Sequence, residues 1–243
     1  MILSQPEWSL PPRVRAAYTT RQGGISQGPW ASLNLGFHCG DDSEAVAENL
    51  RRLSDELPAS PRWLRQVHGT GLIHLDDWQS DIEADAAWTD RPGQVCAILT
   101  ADCLPILLAH SDGLLVAAIH AGWRGLAAGV IEHSIAQLPV DPRHLSAWIG
   151  PGISQSAYEV SDAVMAEFVD RDPALQAAFE GSRPGHFMAD LKAIARHRLI
   201  AAELTRIVDA KLCTAAEPDR FFSYRRDQGR TGRQASLIWL ETA

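Results

Sequence analysis

The chain has 243 residues, of which 46% are hydrophobic and 21% are charged, and its formal net charge at pH 7 is −8. This composition is typical of a compact globular protein and excludes a disordered chain or a fibrous repeat. The acidic balance and the absence of a block of Lys and Arg argue against nucleic acid as a partner, because most of the surface would repel a polyanion.

The N-terminal part of the chain predicts a strand, a loop and a helix in that order. Residues 14–20 form a short alternating segment that is typical of a strand, and turn-forming residues fill 21–30. Apolar residues then recur at helical spacing over 46–57. This spacing predicts a helix that begins near Ser43 and ends before Pro58.

The middle of the chain contains short apolar runs that predict strands. Two of them flank the turn HGTG and three more are short enough to be buried strands; they cover residues 62–67, 72–75, 95–99, 106–109 and 114–120. The last run leads through AGWRG into the helix-like segment 126–138. A unit of strand, tight turn and helix is therefore expected here.

The C-terminal part predicts one further buried strand, three helices and a closing strand, at residues 147–150, 161–170, 173–180, 189–204 and 236–240. Strands and helices are thus interleaved throughout, with no internal repeat and no low-complexity linker. We therefore expect one domain, residues 1–243, with an α/β (α+β) sandwich fold and mixed sheets.

The cellular location is predicted from the cysteines and the apolar runs. The start of the chain lacks a basic region followed by an apolar core, so no secretory signal is expected. In a chain of this length, Cys39, Cys96, Cys103 and Cys213 are better interpreted as reduced thiols than as a disulfide framework. No apolar run approaches the roughly 20 residues of a membrane-spanning helix. We expect a cytoplasmic protein without a membrane segment.

Three side chains with metal-binding chemistry stand beside turn residues at the ends of apolar segments. They are His68 in QVHG, Cys103 in TADCLP and His120 in IHAGWRG. Two imidazoles and a thiolate suit Zn²⁺, and three protein ligands with an open fourth position are typical of a catalytic site. The spacing matches no compact zinc motif, so the alternative is that the histidines are loop residues and Cys103 a small buried one.

Two arginine-containing motifs indicate anion binding. In HAGWRG, Arg124 stands where a helix is expected to begin, and the guanidinium could bind a phosphate or carboxylate there. In FFSYRRD, residues 221–227, aromatic rings and paired arginines could stack on a base or hold a phosphate. The alternatives are a sharp turn with a surface ion pair for Arg124 and a solvated basic loop for 221–227. No phosphate-binding loop, dinucleotide fingerprint or cytidine-deaminase motif occurs.

Taken in order, TTRQGG, SLNLGFHCGDD, QVHG, TADCLP, HAGWRG and FFSYRRD resemble the YfiH family, also called laccase-domain or polyphenol oxidase proteins, over about residues 14–240. The resemblance implies a four-layer α/β/β/α sandwich related to the deamidase domain of a bacterial toxin. It implies similarity to purine nucleoside phosphorylases that also deaminate adenosine. The metal triad of the family corresponds to His68, Cys103 and His120, with Zn²⁺ as the expected metal and copper as the alternative.

Other polar side chains are candidates for the same pocket: Arg21, Asn34, Asp85, Asp102, Arg124, Ser223 and Arg225. For deamination, zinc would activate water for attack on the ring carbon that bears the amine, with Asp85 or Asp102 as the candidate proton carrier. Arg124 is the candidate for holding phosphate, and Arg65 is assigned no function.

We therefore expect a zinc-dependent purine nucleoside phosphorylase with adenosine deaminase activity. The candidate substrates are adenosine, inosine, guanosine and methylthioadenosine, with phosphate, and a monomer is expected. One alternative is an amide hydrolase that edits peptidoglycan precursors, with Cys103 as nucleophile and His120 as base. Another alternative is a copper-dependent phenol oxidase, although the histidines are too scattered for a multicopper cluster. The last alternative is a binding module with a structural zinc, although an open fourth coordination position is not typical of a structural zinc site.

Overall fold

The computed structural model describes residues 2–242, which form strands and α-helices joined by loops and short 3-10 turns. The strands are β1 (Leu3–Ser4), β2 (Val14–Thr19), β3 (Leu72–His74), β4 (Ala86–Thr89), β5 (Val95–Thr100), β6 (Leu104–His110), β7 (Val116–Ala121), β8 (Leu145–Ile149), β9 (Glu159–Ser161), β10 (Phe179–Arg183), β11 (His186–Ala189), β12 (Arg206–Asp209) and β13 (Gln234–Leu240). The helices are α1 (Ser43–Ser54), α2 (Trp123–Ala128), α3 (Val130–Gln137), α4 (Asp162–Val169) and α5 (Leu191–Ala201). Within residues 2–242, no helix has the length and apolar character needed to cross a membrane.

Two large sheets contain most of the strands. The first is antiparallel and has the order β1-β2-β13-β5. The second has the order β12-β8-β6-β7-β4-β3, with a parallel pair at each edge and antiparallel pairs between them. A small third sheet pairs β10, β11 and β9 in antiparallel fashion. The mixed pairing of the second sheet confirms the expectation of mixed sheets.

The two large sheets pack face to face, because successive residues of a strand point to opposite faces and both faces are apolar. On β13, Ile238 belongs to the core between the sheets, whereas Leu237 belongs to a second core that includes Leu53 of α1. Trp148 of β8 is 1% exposed and stacks on Tyr18 of β2, with ring centroids 5.7 Å apart. This aromatic pair joins the two sheets at the centre of the sandwich.

The other face of the second sheet is covered by helices. Ile106 of β6 and Ile119 of β7 share a third core with Ile131 of α3 and Ile194 of α5. From one side to the other, the layers are therefore α1, the first sheet, the second sheet and the group of α2, α3 and α5. The four-layer α/β/β/α sandwich is confirmed, and strands covered on both faces explain the continuous apolar runs in the sequence.

The strand predicted at residues 62–67 is wrong. This segment contains an isolated bridge between Arg65 and Glu83 but no ladder. The side-chain amide of Gln66 instead exchanges two hydrogen bonds with the backbone of Leu99. The side chain of Gln66 thus makes the backbone hydrogen bonds that a neighbouring strand would otherwise make.

Two predicted helices differ from the structure. The segment 126–138 is divided at Gly129, whose φ of 88° ends α2 before α3 begins. Residues Pro173–Ala178 form a 3-10 turn rather than a helix, and Phe179 begins β10, which pairs with β11. The strands β1, β4 and β9 to β12 were not predicted, because strands of two to five residues are too short to show a clear periodic pattern.

Candidate active site

The three predicted metal ligands meet at one place in the structure. The donor atoms of His68, Cys103 and His120 lie within 4.8 Å of one another. Sγ of Cys103 is 3.8 Å from Nε2 of His68, close to the roughly 3.5 Å expected between a sulfur and a nitrogen on one tetrahedral zinc ion. The two imidazole rings cross edge to face, with centroids 4.8 Å apart. This group could therefore bind a metal ion.

Each ligand is positioned by a strand or by a turn with an uncommon backbone conformation. His120 lies on β7 and is 3% exposed. His68 itself has a φ of 60°, and Cys103 follows Asp102, whose φ is 93°. Positive φ is unfavourable for a residue with a β-carbon, and such strain is typical of functional sites. The two turns bring His68 and Cys103 up to the buried histidine of β7.

Asp85 is fully buried and orders two of the ligands at once. Its carboxylate accepts hydrogen bonds from the backbone amides of Val67, His68 and Gly69 at 3.2, 2.9 and 2.7 Å. Its Oδ1 lies 2.7 Å from Nδ1 of His120. In the neutral imidazole, a proton on Nδ1 that faces the carboxylate leaves Nε2 in the unprotonated form that binds a metal.

The charges of the site support one another. Burial raises the pKa of Cys103, but the neighbouring His120 and His68 outweigh burial and lower the pKa below the usual thiol value. Burial lowers the pKa of His120, but Cys103 and Asp85 outweigh it and raise the pKa. Burial raises the pKa of Asp85, and the hydrogen bonds from His120 and Gly69 outweigh it and lower the pKa. The thiolate, which is the form that binds a metal, is therefore favoured.

Gly122 leaves space for two of the three candidate ligands, His68 and Cys103. A β-carbon at this position would lie 2.8 Å from Cδ2 of His68 and 2.9 Å from Sγ of Cys103. We expect Gly122→Ala to weaken zinc binding by about 10- to 100-fold, because it would displace two ligands. The φ of −72° is compatible with alanine, so the variant should fold. Zinc titration against a chelator measures the effect.

The control for this prediction is Gly181→Ala, because nothing lies within 4 Å of a β-carbon at Gly181. The control should bind zinc as the wild type does. Equal zinc affinity of Gly122→Ala and the wild type would contradict the prediction.

The triad borders a cavity of about 650 Å³, a volume typical of sites for small molecules. Much of the wall is apolar or aromatic and includes Leu35, Phe37, Leu50, Trp63, Trp123, Tyr158 and Tyr224. Its polar members include Arg65, Gln66, Asp102, Arg124, Arg225 and Arg233. One cavity thus contains aromatic rings that can stack on a planar base and arginines that can bind an anion. It also contains the donor group, which consists of His68, Cys103 and His120.

Three further predicted site residues line this cavity. The guanidinium of Arg124 lies over the ring of Trp123, with its carbon 4.5 Å from the ring centroid. Arg225 lines the wall as well, and its backbone amide donates to Oδ2 of Asp102 at 2.7 Å. The other carboxylate oxygen of Asp102 accepts from the hydroxyl of Thr214 at 2.6 Å. Both oxygens of Asp102 are therefore engaged in holding neighbouring loops.

Three predicted binding residues do not line the cavity. The guanidinium of Arg21 donates to two backbone carbonyls of adjacent loops. The side-chain amide of Asn34 is fully buried and bonds to the backbone of Gly36 and Arg233. Ser223 is also fully buried, and its hydroxyl accepts from a backbone amide three residues further on. These positions favour a role in shaping the wall over contact with a substrate.

The sequence analysis missed several residues of the wall. Trp123 and Tyr224 stand inside the motifs HAGWRG and FFSYRRD, so the motifs could have indicated them. Tyr158 and Trp63 belong to no motif, and no pattern in the sequence marks them. Only the folding of distant segments around one cavity brings these two residues to the site.

Comparison with known proteins gives consistent results. A sequence model of the family described as multi-copper polyphenol oxidoreductase laccase matches residues 15–241. The chain is similar to a purine nucleoside phosphorylase of Pseudomonas aeruginosa (48% identity) and to the purine nucleoside phosphorylase YfiH of Escherichia coli (44% identity), in each case over 97% of both chains.

Solved structures with this fold are also similar in sequence. The Neisseria meningitidis protein NMB0706 matches with a TM-score of 0.96 and 43% identity over 100% of both chains. YlmD from Geobacillus stearothermophilus matches with a TM-score of 0.88 and 32% identity over 99% of both chains. The similarity therefore extends along the entire sandwich and both sheets.

Proposed function

The chain belongs to the YfiH family, described as multi-copper polyphenol oxidoreductase laccase, and we propose that it is a zinc-dependent purine nucleoside phosphorylase that also deaminates adenosine. Relatives at 48% and 44% identity bear the name purine nucleoside phosphorylase, which supports the first activity. The observation that carries the proposal is one cavity that contains the donor group of His68, Cys103 and His120 together with Arg124 and Arg225.

Zinc is the metal that the donor set favours. Two imidazole nitrogens and a thiolate suit zinc better than the hard cations, and Gly122 leaves room for His68 and Cys103 beside it. Zinc bound there would supply a Lewis acid at the cavity wall. The family description names copper, and copper-dependent phenol oxidation is the alternative it raises. Metal analysis of the purified protein, with oxygen consumption by copper-loaded protein and a phenol, tests that alternative.

Phosphorolysis exchanges one bond at the sugar for another. An oxygen of phosphate forms a bond to C1′ of the ribose as the bond from C1′ to N9 of the purine breaks. The electron pair moves to N9, which takes up a proton, and the products are the free purine and ribose 1-phosphate. Because positive charge develops on the sugar, a phosphate held beside it stabilises the transition state. We assign the binding of phosphate to Arg124, which forms no ion pair within residues 2–242.

Deamination replaces the amine at C6 of adenosine with an oxygen from water and releases ammonia, giving inosine. The donor group borders the cavity into which the purine would enter. We propose that Asp85 and Asp102 position the site rather than carry protons, because their carboxylate oxygens already accept hydrogen bonds. Aromatic residues of the wall would stack on any purine, so adenosine, inosine, guanosine and methylthioadenosine are all candidate substrates.

Product analysis tests the proposed function directly. Zinc-loaded protein is incubated with adenosine in the presence and absence of phosphate, and the products are separated by chromatography. We expect adenine and ribose 1-phosphate only when phosphate is present, and inosine under both conditions. A wild-type protein that leaves adenosine unchanged in both buffers would disprove the proposal.

A second candidate function is supported by one observation. Cys103, His120 and Asp85 are arranged as nucleophile, base and orienting acid, because Asp85 binds Nδ1 of His120 and His120 lies beside Cys103. This arrangement would suit an amide hydrolase that edits peptidoglycan precursors. Alkylation of Cys103 distinguishes the two functions: zinc would protect the thiol, whereas a free nucleophile would react and lose activity.

The fold supports one domain for residues 1–243, because single strands contribute to more than one core. β13, for example, contributes to the core between the sheets and to the core beneath α1. A monomer in the cytoplasm stays a prediction, and light scattering of the purified protein tests the oligomeric state.

A further inference from the structure

Tyr158 is a cavity residue whose hydroxyl is available to a ligand. The side chain is 9% exposed and forms part of the cavity wall. Within residues 2–242 the hydroxyl makes no hydrogen bond to the protein, and it is not among the fully enclosed polar atoms. Because no protein group occupies this hydroxyl, it is free to donate a hydrogen bond to a ligand in the cavity.

Arg225 lies against the face of the Tyr158 ring. Its guanidinium carbon is 4.7 Å from the ring centroid, and Nη1 donates to the carbonyl of Glu159 at 2.7 Å. The backbone amide of Arg225 is held by Asp102. The side chain is thus fixed before a ligand binds, while its other guanidinium N–H groups have no protein acceptor within the described chain. Fixed donors of this kind lose little entropy on binding.

Arg124 brings a second guanidinium to the same wall. It is held over Trp123 and, within residues 2–242, makes neither an ion pair nor a side-chain hydrogen bond. The lining contains two carboxylates, Asp81 and Asp102, and both oxygens of Asp102 are already engaged. The excess of unpaired positive charge stands out in a chain whose net charge is −8.

We propose that Arg124, Tyr158 and Arg225 form a subsite for a tetrahedral oxyanion, and that its occupant is the phosphate co-substrate. The subsite rests on the shared cavity lining and on the contact of Arg225 with Tyr158, whereas the identity of its occupant rests on the proposed function. Two guanidinium groups would balance the charge of phosphate, and the neutral phenol would donate one further hydrogen bond to a phosphate oxygen. Burial raises the pKa of Tyr158 to about 12, so the phenol keeps the proton that it donates.

The binding of inorganic phosphate alone tests the subsite without any turnover. Isothermal titration calorimetry is performed on the wild type and on Tyr158→Phe. We expect the variant to bind phosphate about 10- to 100-fold more weakly, the range for loss of a hydrogen bond to a charged group. Equal affinity of the variant and the wild type would overturn the proposal, as would tighter binding of acetate than of phosphate.

Tyr18→Phe is the matched control. Tyr18 is also buried, and its hydroxyl lies 3.4 Å from a guanidinium nitrogen of Arg220, but it belongs to the core between the sheets. Both variants therefore remove one hydroxyl from a buried tyrosine that contacts an arginine. The control should bind phosphate as the wild type does, and an equal loss in both variants would show a general effect on the fold.

Steady-state kinetics separates the subsite from the proposed function. In Tyr158→Phe the KM for phosphate should rise by about 10- to 100-fold, whereas the KM for the nucleoside should rise much less, because phenylalanine keeps the ring that can stack on a purine. A similar rise in both KM values would overturn the subsite. If phosphate binds through Tyr158 but no phosphorolysis occurs, the subsite stands and the proposed function fails. If phosphorolysis occurs and the variant keeps its KM for phosphate, the proposed function stands and the subsite fails.

Discussion

Replacement of Cys103 by alanine is expected to lower both phosphorolysis and deamination of adenosine by roughly 10³-fold or more. The thiolate is one of three donors within 4.8 Å, and its removal leaves two imidazoles, which are too few for a catalytic zinc site. Zinc content by mass spectrometry and product formation from adenosine measure the effect together. Both should fall in the same variant.

The control for this prediction is Cys213→Ala. Cys213 is 9% exposed and does not line the cavity, and its sulfur accepts one backbone hydrogen bond from Ser154. The control should keep zinc and activity. A Cys103→Ala variant that is free of zinc yet fully active would disprove metal dependence. A variant that keeps zinc but is inactive would instead favour Cys103 as a nucleophile.

Replacement of Asp85 by asparagine is expected to destabilise the protein by about 3 kcal/mol or more and to weaken zinc binding by about 10- to 100-fold. The carboxylate accepts hydrogen bonds from three backbone amides and from Nδ1–H of His120. The side-chain NH₂ of asparagine cannot accept a hydrogen bond, so it would face buried N–H groups and leave them unpaired. The turn that carries His68 and the ring of His120 would both lose their anchor. Urea unfolding in a chelator and zinc titration measure the two effects separately.

Asp41→Asn is the matched control for the loss of a multiply bonded carboxylate. Asp41 accepts hydrogen bonds from Ser26, Asn34 and the amide of Asp42, but it contacts no proposed metal ligand. We expect this variant to lose stability while it keeps the zinc affinity of the wild type. Wild-type zinc affinity in Asp85→Asn would show that Asp85 does not order the ligands.

The sequence predicted the donor group because its chemistry and its local setting are both visible in short segments. His68, Cys103 and His120 each stand where an apolar segment meets a glycine or a proline, and such positions let side chains converge. The spacing alone left the interpretation open. The agreement of six motifs with one family favoured a metal site, and the structure brings the three candidate donors together.

All three candidate metal ligands line the cavity, but several of the candidate binding residues do not. Asn34 and Ser223 share motifs with wall residues, whereas the motif of Arg21 contains none. The side chains of all three bond to the backbone instead of lining the cavity. A motif identifies a segment that contributes to the site, but it does not show whether a given side chain points into the cavity or away from it. Tyr158 shows the opposite case, since it lines the cavity without belonging to any motif.

The sequence by itself determined the fold class and most of the strands of the two large sheets. Apolar runs of four to seven residues reflect burial on both faces, and this property is local to each strand. It also indicated the candidate chemistry of the site, because histidine and cysteine side chains favour soft or borderline metals and arginine side chains favour anions.

Only the tertiary structure decided which groups face one another. The contacts of Asp85 with residues 67–69 and with His120, and of Arg225 with Tyr158, join segments far apart in the chain. The segment 62–67 likewise does not form the predicted strand, because the side chain of Gln66 makes hydrogen bonds to the backbone of Leu99. Such contacts depend on how the sheets are stacked and on where loops cross their edges, and no local pattern in the sequence records either.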